Sequence, residues 1–456
     1  MKFIVQALVS RLIETGNLKI TYPDGTCQAF GDGTGNPVHL RINTNKALWG
    51  LAVDPAYYLG HHYGTGDIDI VEGDMYGFLR AVFTGNPDFR YYDTGWNRFL
   101  DRLRYLLRWV REKNSVVRSR RNVQHHYDLT GELYDLFLDR DRQYSCAYFE
   151  RPDQSLDDAQ LAKKRHIAAK LNINRPGQSV LDIGCGWGGM ALYLARQLGA
   201  KVTGVTLSDE QHALSVKRAV EAGLSQAVTF LLQDYRNTEG PFDRIVSVGM
   251  FEHVGRPNYL TFFRKSASLL KRDGVMLLHT IGRTDRPAAN NPFIEKYIFP
   301  GGYIPALSEV MQAVEKSGLA VTDVEILRLH YAETLRHWRE RFMARREEAK
   351  ALYDEKFCRI WEFYLAASES AFRWQNLVVF QIQLAHDQQA MPLTRDYIGR
   401  GEDCLLSHEG NAGASGAARG NIRARPRCEI RNASQPKPLK PGAIRACPVQ
   451  AACGKV

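Results

Sequence analysis

The sequence predicts an α/β protein: an open, doubly wound sheet preceded by a small α+β unit and followed by a disordered tail. Three observations carry this. From Val180 onward, short β-branched runs such as "SVLDIG", "AKVTGVTL", "VTFLLQD", "FDRIVSVG" and "GVMLLHTIG" alternate with helical stretches, the rhythm of parallel strands joined by crossover helices. Residues 1–110 instead crowd short strands and turns together. Beyond Ile398 there is no Phe, Tyr or Trp, so little apolar burial can offset the entropy of ordering that segment.

The 456 residues are 44% hydrophobic, enough for a large core divided among two or three domains. No apolar run approaches the ~18 residues that would span a bilayer. The opening "MKFIVQALVSRLIETG" carries Arg11 and Glu14 and reads as an amphipathic helix rather than a cleavable leader, which points to a cytoplasmic protein. Eight scattered cysteines without a CxxC pair argue against a disulfide framework and against a zinc site. No metal is expected. The net charge of +10 is mostly a property of the tail, where ten basic and four acidic side chains follow Ile398. With no aromatics to stack on bases, the tail is not read as a nucleic-acid arm.

Within the first unit, 1–113, "LKITYPDGTCQAFGDG" predicts a hairpin around Pro23-Asp24-Gly25, and "VHLRIN" a further strand. "ALWGLAVDP" and "DMYGFLRAVF" have helical apolar spacing. "LRYLLRWVREKNSVVRSRRN" begins as a helix and gives way to a basic linker, 114–123. Later, "VTDVEILRLH" and "NLVVFQIQLAH" supply the last strands, and "HYAETLRHWRERFMARREEAKALYDEKFCRIWEFYLAASESAFRW" a long charged helical region between them.

The cofactor signal is "VLDIGCGWGG", which sets Gly184, Gly186 and Gly188 directly after the first strand of the repeat. Glycines there let the backbone turn sharply and come close to a ligand at the start of a helix. A dinucleotide fold would want G-x-G-x-x-G and an acid ending the second strand. Here the spacing is G-x-G-x-G, Asp182 precedes it, and the second strand ends in "TLS". The pattern fits S-adenosylmethionine (SAM). Glu252 and His279 follow later strands and so fall at the same carboxyl edge, where ligands bind in such sheets. Two titratable groups beside a cofactor loop outweigh the structural reading of either alone.

Taken together, "LDIGCGWGG", "TGVTLSDEQ", "DRIVSVGMFEHVG" and "GVMLLHTIG" resemble the cyclopropane-fatty-acyl-phospholipid synthases and their mycolic-acid relatives. The resemblance covers 124–398, and residues 1–110 resemble the small amino-terminal domain of the phospholipid-acting members. It implies a Rossmann-like SAM-methyltransferase sheet and a SAM site formed by Asp182, Gly184, Gly186, Gly188, Thr206, Leu207, Ser208, Gln211, Asp234 and Tyr235. The family's reaction adds a methylene group from SAM across an acyl double bond of an unsaturated phospholipid, with bound bicarbonate as base. The positions matching the bicarbonate site are Cys146 and Ile281 through backbone N–H groups, His279 through its ring, Tyr331 through its hydroxyl and Glu252 as orienting acid.

The aromatic stretch from Gln124 to Glu150 then reads as a lid. Tyr144 and Ser145 would close over SAM, while Tyr127, Tyr134, Phe137, Tyr148 and Phe149 would wall off water and present aromatic faces to a passing cation. His125 and His126 are read as structural. "FIEKYIFPGGYIPALSEVM" would line an acyl channel. One departure stands out: Ser368 occupies a position where many relatives carry cysteine, and a serine cannot replace a thiolate at neutral pH. A methyl-branched or methylidene product therefore stays open beside the cyclopropane, as does a lipid carrier that lacks catalysis. The resemblance also implies peripheral association with the inner membrane face and leaves a homodimer open. The tail, 399–456, has no counterpart in the family and reads as disordered, with an aberrant terminus one explanation.

Overall fold

The computed structural model describes residues 1–86, 88, 95–111 and 131–414. The basic linker at 114–123, the head of the lid at 124–130 with His125, His126 and Tyr127, and the tail past 414 lie outside the described residues.

The amino-terminal unit holds a four-stranded sheet of β1 (Leu18–Thr21), β2 (Cys27–Phe30), β3 (Val38–Ile42) and β4 (Ile68–Glu72), in the order β2-β1-β3-β4. β1 and β2 form the expected hairpin, pairing Leu18 with Phe30 and Thr21 with Cys27. Helices Lys2–Leu12, Asn45–Val53 and Met75–Thr84 stand where apolar spacing predicts them. Two start on side-chain caps: Ala47 N–H donates to Thr44 Oγ1 (3.2 Å) and Gly77 N–H to Asp74 Oδ1 (2.6 Å).

This unit does not keep a core to itself. Val5, Leu12, Leu40 and Phe78 belong to one buried cluster with Trp338, Trp361 and Phe363 of the later helices. The helix Pro55–Thr65 lies so close to Glu355–Trp374 that a Cβ on Gly60 would sit 2.5 Å from the Phe363 ring. Arg359 clamps the contact, donating to Tyr63 O (2.5 Å) and Asp69 Oδ1 (2.9 Å). The long helical region is three helices, His330–Ala344, Arg346–Leu352 and Glu355–Trp374.

The large sheet comprises β5 (Ser179–Ile183), β6 (Lys201–Thr206), β7 (Val228–Leu232), β8 (Phe242–Val248), β9 (Leu270–Arg283), β10 (Ala320–Leu327) and β11 (Leu377–Ala385). Its order is β10-β11-β9-β8-β5-β6-β7. β9, β8, β5, β6 and β7 run parallel. β11 inserts antiparallel between β9 and β10, so the sheet is not parallel throughout. Strand order reverses between β5 and β8, which places the ligand crevice at the carboxyl end of β5.

The carboxyl-terminal expectation needs correcting. A helix runs Asp396–Ala414, past the boundary set at 398. Tyr397, Ile398 and Leu405 are buried, Glu402 Oε1 lies 2.6 Å from His166 Nδ1, and Glu409 Oε1 accepts from Tyr193 OH at 2.6 Å. Spaced leucines and paired acids anchor it without aromatics, which is why composition misread it.

Candidate active site

The glycine loop closes the crevice at the end of β5. Gly184 and Gly186 have φ of 81° and 54°, the left-handed region that glycine alone enters without strain. A Cβ on Gly184 would meet Met250 Cβ at 2.7 Å, whereas on Gly186 it would meet nothing within 4 Å. Gly186 therefore borders open space. That space is a cavity lined by Asp182, Gly184, Gly186, Thr206, Leu207, Gln211, Asp234 and Tyr235, together with Tyr144 and Ser145 from the lid.

Two positions expected to face it do other work. Ser208 caps the helix Asp209–Glu221 by accepting from Gln211 N–H (3.3 Å), and Gly188 is the left-handed residue that starts the helix Gly189–Leu198. Neither lines the cavity. Thr206 Oγ1 donates to Gln211 Oε1 (2.9 Å) and accepts from Ser208 N–H (3.2 Å), fixing the end of β6. Asp234 accepts from Arg236 through both oxygens (2.8 and 2.7 Å). Asp182 is buried with Oδ2 unpartnered among the described residues, and burial pushes its carboxyl up to about 7.

A second, much larger chamber of about 1530 Å³ begins beside the first. Both are lined by Tyr144, Ser145, Gly249 and His253, so they meet there. The chamber exceeds the ~300–1,000 Å³ usual for small-ligand pockets, and its walls include Leu8, Leu40, Phe78 and Val82 of the amino-terminal unit. Cys146, Glu252, His279, Ile281 and Tyr331 all line it, as do Ser368 and, from the expected acyl-channel stretch, Ile294, Phe299, Gly302, Tyr303 and Ile304. The five residues singled out as catalytic thus converge on one space.

Their local chemistry is specific. Glu252 lies in the 3-10 turn Phe251–His253 just after β8, and His279 near the end of β9. Glu252 Oε2 and His279 Nε2 are buried and unpartnered among the described residues. Burial pushes the Glu252 carboxyl up and holds His279 well below its ordinary value, so the ring is neutral. Gln381 Nε2 donates to His279 Nδ1 (3.2 Å), which leaves Nε2 as the proton-bearing nitrogen. Ile281 N–H donates to Glu252 Oε1 (2.6 Å); it orients the carboxylate and is not free toward the chamber. Cys146 is buried and its Sγ donates to Ala147 O (3.2 Å). Burial raises its thiol pKa, so no thiolate is at hand.

The lid differs in part from its reading. Tyr144, Ser145 and Cys146 reach the cavities, but Tyr134, Phe137, Tyr148 and Phe149 do not line the chamber. Tyr134 packs edge-on to Trp187 (5.0 Å) and Phe137 on Trp338 (5.9 Å), while Tyr148 stacks on His166 (4.2 Å) and His330 (5.0 Å). They root the lid. Beside Tyr144 of the lid, the chamber's aromatic lining includes Tyr331, Phe363, Tyr364 and Phe372.

Sequence reading missed the residues that hold the lid down. Gln160 Nε2 donates to the carbonyls of Gln143 (3.1 Å) and Ser145 (2.9 Å), and Lys163 Nζ donates to Gln143 Oε1 (2.7 Å) and Ser145 Oγ (2.8 Å). Both are fully buried on the helix Leu156–Leu171, and burial lowers the Lys163 ammonium to about 8. A lysine within "AQLAKKRH" looks like any solvated helix face, so nothing in the pattern marks it. His253, between the two cavities, was likewise missed; burial takes it down to about 4.

The sheet order, the glycine loop and the convergence beside it define a SAM-dependent methyltransferase of the cyclopropane-synthase type. The chain belongs to the mycolic acid cyclopropane synthetase family, whose profile matches residues 114–382. It is 42% identical over 285 residues to a probable fatty acid methyltransferase of Pseudomonas putida, covering 60% of this chain and 72% of that one. With the cyclopropane-fatty-acyl-phospholipid synthase of Escherichia coli K12 it shares 44% identity over 257 residues, covering 56% and 65%. The solved structure of mycolic acid cyclopropane synthase CmaA1 complexed with SAH and CTAB is 36% identical, with a TM-score of 0.55, and the match covers 58% of this chain and 97% of that one.

Proposed function

We propose that the protein adds a methylene group to the double bond of unsaturated acyl chains in phospholipids, forming a cyclopropane ring, with bicarbonate held as the base. The observation that carries this is the pair of buried, unpartnered atoms, Glu252 Oε2 and His279 Nε2, in an apolar chamber that opens onto the cofactor cavity. Buried polar atoms without partners are costly, and two around one space fit a small polar guest.

The cofactor cavity suits SAM on this chain's own residues. Asp182 Oδ2 is an unused acceptor for an ammonium, and Gly186 leaves the approach open. SAM, when bound, supplies an electrophilic methyl carbon; the relative CmaA1 was solved with SAH. In the overall reaction one C–S bond breaks, two C–C bonds form to the former alkene carbons, and one proton leaves the added carbon for the base. Neutral His279 donates through Nε2 to the anion, Cys146 N–H and the Tyr331 hydroxyl converge on the same space, and Glu252, held by Ile281 N–H, orients it. The rings of Tyr331, Tyr364 and Phe372 present faces to the developing carbocation.

A methyl-branched or methylidene product is the second reading. It is favoured by the relative from Pseudomonas putida, which is described as a methyltransferase, and by Ser368 on the chamber wall. Purified protein incubated with SAM and unsaturated phospholipid, followed by mass spectrometry of released acyl esters, should show a gain of one CH₂ unit. A ring and a methylidene share that mass, so bromine uptake decides between them. A product that still takes up bromine would overturn the cyclopropane reading, and no mass gain would overturn both.

A further inference from the structure

The helix Gly95–Arg111 is amphipathic the wrong way round. Its polar side meets the protein. Asn97 is buried, and Arg104 pairs with both Asp54 and Asp101. Four of its large apolar side chains face outward: Trp96 is 53% exposed, Phe99 54%, Leu103 41% and Leu106 66%. The spacing of three, four and three residues aligns them in one stripe along the helix. Trp96 and Phe99 stack with centroids 5.7 Å apart. Trp96 Nε1 donates to Val53 O (2.8 Å), which joins the stripe to Val53 and Trp49, themselves 41% and 57% exposed. Exposed large apolar side chains grouped in this way mark an interaction site.

From this face we propose that the stripe is the surface by which the protein docks on a phospholipid bilayer, with the helix lying in the interface plane. Three observations select a bilayer over another protein. Arg98 and Arg102, exposed and without an ion pair among the described residues, flank the stripe, a charge pattern suited to anionic head groups. Trp and Phe are the side chains that settle at a membrane–water boundary. The third is position: Arg98, Arg102 and Tyr105 of this helix, with Pro55 and Ala56, also line the large chamber. The outward stripe thus borders the opening of an apolar space reaching to Glu252 and His279. An acyl chain leaving a bilayer under this helix would enter that space without crossing water. This inference rests on the acyl-lipid reading of the site above.

The test uses the full-length protein and the double substitution Trp96→Ser/Phe99→Ser, neither of which lines the chamber or the cofactor cavity. Partition is measured by sedimentation with vesicles of equal parts phosphatidylglycerol and phosphatidylcholine. Activity is measured on the same unsaturated phospholipid in vesicles and dispersed in detergent micelles. The expected result is a loss of vesicle binding of about tenfold or more, a matching fall in conversion from vesicles, and conversion from micelles within about twofold of wild type. A second variant, Arg98→Glu/Arg102→Glu, keeps the apolar stripe and should lose affinity for anionic vesicles in a salt-dependent way. Unchanged melting temperatures establish that both variants fold. Unchanged vesicle partition in both overturns the proposal. So does a double serine variant that only converts a dimer to a monomer on gel filtration, which would make the stripe a contact between copies of the chain. No conversion of either lipid form by wild type would defeat the acyl-lipid reading while vesicle partition still decides the docking surface.

Discussion

Burial holds the Asp182 carboxyl up to about 7, so without a ligand a neutral acid faces the cofactor cavity through much of the acid range. Its folded value lies above its unfolded one, so its contribution to stability is complete below about pH 4 and is lost as pH rises through 7. A cofactor ammonium that pairs with it reverses that cost. SAM affinity should therefore climb with pH by up to about tenfold per unit below 7 and flatten above, and Asp182→Asn should remove the slope. Calorimetric titration across this range checks it; equal slopes in the two proteins would remove Asp182 from the site. Glu252 and His279 face the other space, so Glu252→Gln and His279→Ala should lose about a hundredfold or more in turnover with SAM dissociation constants within about threefold of wild type. If both variants lose SAM affinity in step with turnover, those residues serve the cofactor and not the base.

At the scale of elements, the lid acts through the helix beneath it. Lys163 ties Gln143 and Ser145 from below, and each charge-assisted bond is worth about 1.5–3 kcal/mol. Lys163→Met keeps the packing stem but drops both. SAM binding should weaken by about ten- to a hundredfold, while turnover at saturating SAM falls far less. A Lys163→Met protein whose SAM affinity equals wild type would show that the lid holds itself in place. The same segment shows where sequence is legible and where it is not. Strand ends are readable, because β-branched runs and glycines record which residues meet the crevice; hence Gly186, Gln211, Glu252 and His279 are legible from their strand-end motifs and line the two cavities. Lid anchoring is not readable, because Lys163 and Gln160 act through lid carbonyls and side chains that only the packed helix brings near. Tyr148 and Phe149 were misassigned for a related reason: an aromatic cluster looks the same whether it faces a ligand or roots a loop on His166, His330 and His337. β11 between β9 and β10 was hidden too, since antiparallel insertion leaves no local mark in an apolar run.

For the whole molecule, the carboxyl-terminal helix is the part whose role changes most once its contacts are seen. Composition reads everything past Ile398 as a disordered tail. The helix Asp396–Ala414 instead lies against Leu156–Leu171, the helix that carries Lys163. Cutting at Arg400 removes Glu402 from His166, Glu409 from Tyr193 and Arg165, and Leu405 from the core. His166 is nearly buried, and its pKa is raised: burial lowers it, but the two carboxylates of Glu325 and Glu402 outweigh that. Loss of one carboxylate leaves a buried charge half-paired, at about 1–3 kcal/mol, the tyrosine hydroxyl loses a partner at a similar cost, and Leu405 adds about 2 kcal/mol of apolar burial. Together these approach the ~5–15 kcal/mol that holds a typical domain folded. Truncation after Arg400 should therefore lower the melting temperature by about 10 °C or more and weaken SAM binding through the slackened lid helix. Truncation after Ala414 should leave both unchanged. Scanning calorimetry and SAM titration on the two truncations decide the matter: identical melting after the Arg400 cut would show that the helix is an ornament on the fold, and destabilisation by the Ala414 cut would place a structural role in the residues beyond it.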